Sequence, residues 1–121
     1  MHFLRVLCGL LLLLCSAWAI GAEPLYEGLG DHSMQITTRS PDAQKYFDQA
    51  VRFLHGFNHG AAIRSFEEAL RLDPGCAMAH WGIALALGPH INDMQISPEN
   101  ARRAWNEVQN AKQKMADASP V

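Results

Sequence analysis

Ala62-Ile63-Arg64-Ser65-Phe66-Glu67-Glu68-Ala69-Leu70-Arg71-Leu72-Asp73-Pro74 is the stretch whose reading decides the fold. Ala62, Phe66 and Ala69 recur at the spacing of one helical face, with an aromatic ring between two small side chains. Small residues let a second helix approach closely, and the ring fills the gap that remains. Pro74 stops the helix, because it has no N–H to donate and disfavours α geometry at Asp73. Upstream, Tyr46-x2-Gln49-Ala50-x2-Phe53 supplies the partner helix.

Punctuation around this pair extends the reading to four helices. Ser40-Pro41-Asp42 combines a capping hydroxyl, a proline in the first turn and an acid at the positive dipole end. The helix it opens carries Tyr46, Phe47, Ala50, Phe53 and Leu54 as its apolar stripe and ends at Gly56 to Asn58. The second helix spans about His59 to Leu72, with Ala62, Ile63, Phe66, Ala69 and Leu70 inward. Arg64, Glu67, Glu68 and Arg71 are expected to face solvent, with Glu67 and Arg71 in the favourable i,i+4 order. Cys76 to Leu87, apolar nearly all round, reads as a third helix after the Asp73-Pro74-Gly75 turn. Ser97-Pro98-Glu99 repeats the first start signal. It opens a fourth helix whose face is Ala101, Ala104, Trp105, Val108, Ala111 and Met115. Gly28 and Gly30 interrupt residues 23–39, and Met34 to Thr38 alternates weakly, so an extended or loop segment is expected there.

Residues 1–22 read as an export signal: Arg5, the apolar run Val6 to Leu14, then small residues through Ala22. An uncleaved membrane anchor is the alternative, and a lipoprotein anchor at Cys15 fits less well because Leu14 precedes the cysteine. Cleavage after Ala22 moves the formal charge from −2 to −3, since Arg5 is the one charged side chain removed. That balance offers no footprint for nucleic acid or an anionic membrane. Cys8 and Cys15 would leave with the signal, and Cys76 alone cannot form an internal disulfide. A bacterial periplasmic or secreted location is therefore expected.

The paired helices resemble the tetratricopeptide repeat, with its W-x2-L-G-x2-Y, A-x3-F and closing Pro. The run from Gly28-Leu29-Gly30 through Tyr46-Phe47-Asp48-Gln49, Phe57-Asn58-His59, Leu72-Asp73-Pro74 and Trp81-Gly82 is similar to exported bacterial proteins of this type, over most of residues 28–112. Gln49 and Phe57 depart from the pattern, which prefers Leu and Gly at those places. The resemblance implies an all-α fold of antiparallel helix hairpins: a first repeat over 40–74 and a second over 75–116. The 34-residue register carries Tyr46 to His80, Ala50 to Ala84 and Phe53 to Leu87, but Ala101-x3-Trp105-x2-Val108 arrives five residues late. The loop from Gly88 to Ile96 must absorb that insertion. Ser119-Pro120-Val121 starts the same signal a third time. Residues 117–121 therefore read as the truncated tail of a longer protein, or the uncovered last helix face is closed by self-association.

By the same resemblance the first helix of each repeat lines a concave face that docks another protein or peptide. Here that face would hold Gln44, Phe47, Val51, Leu54 and His55, then Met78, Trp81 and Leu85. The alternative is that these side chains are core, covered by further helices or by residues 23–39.

Chemistry is sparse. His55 and His59 are four apart, but Gly56 and Asn58 interrupt any shared helix. Cys76 and His80, also four apart, could form half of a zinc or copper site with Met78, His90 or Met94. That makes a periplasmic metal-binding protein the rival reading; no spacing supplies a second half. Gly-x-Ser-x-Gly, His-Glu-x-x-His and the phosphate-loop pattern are absent, so neither catalysis nor a cofactor is expected. The expected function is an exported scaffold for protein–protein interaction, touching a membrane only if residues 1–22 are retained.

Overall fold

The computed structural model describes residues 22–118; the signal-sequence and terminal Ser119-Pro120-Val121 readings lie outside them. Four helices follow one another: α1 (Pro41–His55), α2 (His59–Leu72), α3 (Ala77–Leu87) and α4 (Pro98–Lys114), with a 3-10 turn at Met115–Asp117. No strand occurs among the described residues; an isolated bridge between His90 and Asp93 braces the α3–α4 loop. None of the described helices is long and apolar enough to cross a membrane. Consecutive helices pack as hairpins, α1 on α2, α2 on α3 and α3 on α4, with a slighter contact between α1 and α3.

The start signals at Ser40 and Ser97 act as the sequence implies, and Asn58, expected to end α1, also caps α2. Ser40 Oγ accepts the Ala43 N–H, Asn58 Oδ1 accepts the Ala61 N–H, and Ser97 Oγ accepts the Asn100 N–H. Each satisfies a backbone donor that the helix leaves orphaned. The end of α1 explains one departure from the repeat pattern. Asn58 N–H reaches Phe53 O at 2.9 Å and Phe57 N–H reaches Leu54 O at 3.1 Å. This paired closure needs a left-handed residue between, where glycine is usual. Phe57 takes that conformation at φ 60°, the one positive φ among the described non-glycine residues.

The core joins Phe47, Ala50, Phe66, Ala69, Cys76, Ala79 and Ile83 across the first three helices. Phe66 is fully buried, 5.5 Å from the Phe47 ring and tilted against it. Its ring fills the space over Gly82 so closely that a Cβ there would overlap the ring. The fold therefore uses Ala62 and Ala69 beside the ring and Gly82 beneath it.

Two expectations about charge and packing are corrected. Glu68 is buried, and both its oxygens accept from Arg71 at i+3. Arg71 thus pairs with Glu68, while Glu67 reaches across to Arg103 on α4. The fourth helix also sits differently. It has no buried residue, and Trp105 and Met115 are 63% and 61% exposed. Ala104 packs against the core, and polar bridges on that side, His80–Glu107 and Glu67–Arg103, set the helix rotation. Phe66 is buried because α2 lies between two helices; α4 has α3 on one side, so Trp105 has no equivalent cover.

Candidate binding face

Residues 23–38 form an extended strap held on α1. Gln44 accepts the Ile36 N–H and donates to Met34 O; Asp48 accepts from the Met34 N–H and the Ser33 hydroxyl. Arg52 Nε donates to His32 O at 2.7 Å. Residues 32, 34 and 36 thus meet α1 at 52, 48 and 44, so the strap runs antiparallel to the helix. Ile36 is its one buried side chain and Met34 packs beside it, while Gln35 and Thr37 are exposed, as period-two alternation requires.

Gly28 and Gly30, both at positive φ, turn the chain so that its earlier part reaches the other side of α1. There Gln49 accepts the Tyr26 N–H and donates to Pro24 O and Ser65 Oγ. The Tyr46 hydroxyl donates to Glu23 O at 2.6 Å, and the Tyr26 ring stands edge-on to Phe53. Gln49, the second departure from the repeat pattern, is therefore a buried amide bonded in three directions. A leucine there would leave the strap's main chain unpaired.

This arrangement divides the expected concave face. Phe47 and Val51 are core residues, and Gln44 spends its amide on the strap. These three are withdrawn from partner contact, Phe47 and Val51 by the core cluster they share with Ile36 and Gln44 by its bonds to the strap. Leu54 is half-buried against the core, and His55 is exposed with its ring near His32. On α3 the outcome differs. Met78 packs partly against the core, but Trp81 and Leu85 remain 41% and 48% exposed, one helical turn apart. They are the two exposed residues of a helix whose remaining positions are buried or half-buried.

The metal-ligand pairs do not converge. Cys76 is buried, and desolvation pushes its thiol up from the usual range, which opposes the thiolate a metal would require. The His80 ring meets the Glu107 carboxylate at 2.6 Å. His90 stacks on His59 at 4.2 Å, and Met94 points into solvent. His55 ends α1 and His59 begins α2, with different ring partners. Among the described residues no group of three or more His, Cys, Asp and Glu could hold a metal ion.

Asp48 and Arg52 were not singled out from sequence. The available signal was a pair of polar residues, Asp48 and Gln49, flanked by apolar Phe47, Ala50 and Val51, where a buried polar side chain must have a partner. Comparison with protein-family models, curated proteins and solved structures finds no match.

Proposed function

We propose that this chain is an exported scaffold of tetratricopeptide type that docks a helix of another protein on the Trp81–Leu85 face of α3. The observation that carries this reading is the pairing of those two large apolar side chains, exposed side by side on a helix otherwise turned inward. Exposed aromatic and aliphatic anchors of this kind are where binding energy concentrates. The repeat assignment draws support from the Ala62/Phe66/Ala69 interleaving with Gly82 and from the hairpin order; export rests on the composition of residues 1–22.

The nature of the partner follows from a contrast. Wherever α1 holds an extended segment, it supplies Gln44, Asp48, Gln49 and Arg52 to bond that segment's main chain. The exposed face of α3 offers Trp81 and Leu85 and no hydrogen-bonding group beyond the indole N–H. A partner there must satisfy its own backbone, which an amphipathic helix does.

A photo-crosslinking side chain at position 85, introduced in the full chain in a producing cell, tests this. One discrete adduct, lost in Trp81→Glu and absent when the probe sits at Gln113, is the expected result. Equal labelling from both positions, or none from position 85, would remove the proposal.

A further inference from the structure

Glu23 is held more firmly than its place at the start of the strap requires. Residues 22–28 are exposed except for Glu23, whose side chain keeps 11% of its surface. Its main-chain oxygen accepts the Tyr46 hydroxyl at 2.6 Å, and its Oε2 accepts the Arg64 Nε–H at 3.0 Å. Its Oε1 is buried without a hydrogen-bond partner, the one such side-chain atom among the described residues. A carboxylate oxygen taken out of water calls for a donor.

The donors around it are committed elsewhere. The Tyr46 hydroxyl gives its single proton to Glu23 O, and Arg71 is taken by both oxygens of Glu68. Arg64 reaches Oε2 and leaves Oε1 unbonded. Charge at this corner also favours a further cation. The carboxylates of Glu68, Asp42 and Glu23 act on the Tyr46 hydroxyl, against the guanidinium of Arg71 there and that of Arg64 on Glu23 itself. Three acids face two bases.

The missing donor lies in the covalent chemistry of Glu23. Within a chain its nitrogen is a neutral amide with one N–H. At a chain start the same nitrogen is an ammonium with three donors and a positive charge. Building on the export reading, we propose that the mature chain begins at Glu23 and that the α-ammonium freed there pairs with Glu23 Oε1. Removal of residues 1–22 thereby completes the anchor of the strap. Ala22 is exposed and outside any helix, so the bond to be cut is accessible. Hydrolysis by a processing protease of the exporting cell adds water across the Ala22–Glu23 amide. The water oxygen joins the Ala22 carbonyl as a carboxylate, and the Glu23 nitrogen leaves as an amine that is protonated at neutral pH. A cut after Ala19 would instead keep Ile20-Gly21-Ala22 ahead of Glu23 and leave its nitrogen a neutral amide.

The full chain, produced in a bacterial cell with residues 1–22 in place and purified, is read first by N-terminal sequencing and intact mass. A start at Glu23 is expected. The second readout is the order of acetylation by limiting acetic anhydride at pH 7. An ordinary α-amino group is deprotonated far more often than a lysine at that pH and reacts first. Paired with Oε1, it should react after Lys45 and Lys112, both exposed. Glu23→Ala should restore the ordinary order. Arg64→Gln removes the contact on Oε2 alone and should leave the amine slow. A start at Ile20, or at any residue other than Glu23, overturns the proposal and leaves export standing. A chain that keeps residues 1–22 overturns both. An amine at Glu23 that reacts ahead of the lysines, or stays slow in Glu23→Ala, overturns the pairing.

Discussion

The ring of Phe66 occupies the space in which Gly82 would carry a Cβ, and this one relationship locks α2 to α3. Neither residue has an alternative position: Phe66 is fully enclosed, with Phe47 against it. Gly82→Ala should therefore destabilise the chain by about 1–3 kcal/mol through overpacking, after the helix preference of alanine is offset. Chemical denaturation followed by circular dichroism measures it. A variant as stable as the parent would mean that the ring is free to move.

Phe57 holds a left-handed conformation that glycine adopts without steric cost, and its side chain is largely exposed. Phe57→Gly should raise stability by roughly 0.5–1 kcal/mol. The readout is a higher thermal midpoint with unchanged helical signal. A fall would show that the Phe57 ring contributes more by packing near His59 than the backbone loses.

Gln49→Leu, which replaces the amide by an apolar side chain of similar size, should loosen the strap. It strands the fully buried Ser65 hydroxyl and removes the half-buried bonds to the Tyr26 N–H and the Pro24 carbonyl, at a cost of about 1–3 kcal/mol for the buried group left unpaired. Hydrogen exchange at the Tyr26 amide should accelerate well before any helix amide does. Uniform acceleration across α1 and α2 would instead mark Gln49 as a core residue whose loss is global.

Cys76 lies in the core, and burial raises its thiol, an effect that the Ala79 backbone N–H partly offsets and the Asp73 charge reinforces. Because the folded chain holds the proton more tightly than an open chain, this contribution to stability is present at neutral pH. It is lost as pH rises through the folded-state value. Thiol-reactive reagents should modify Cys76 slowly at neutral pH, at a rate set by opening of the fold. Denaturant should accelerate modification more than a one-unit rise in pH does. The opposite order would place the thiol at the surface.

Local signals carried far in this chain. Ser40, Asn58 and Ser97 cap helices because a short side-chain oxygen beside an orphaned N–H acts within one turn. The Ala62–Phe66–Ala69 face is core because helical period and side-chain size are written into consecutive residues. The unusual Gln49 and Phe57 could be seen as departures, but their causes could not. Gln49 answers to Pro24 and Tyr26, more than twenty residues upstream, and nothing in a local window pairs them.

The helix order, the Ser40 and Ser97 caps and the buried stripe of α2 followed from sequence alone, since each depends on neighbours within a few positions. Tertiary structure decided which apolar faces stay open. Phe47 and Trp81 lie 34 residues apart on the first and third helices, yet Phe47 is enclosed against the Phe66 ring of α2 while Trp81 stays exposed. Phe66 and Trp105 part because α2 is packed between two helices and α4 rests on one. Burial depends on what lies opposite a side chain, and that is fixed by contacts between distant segments.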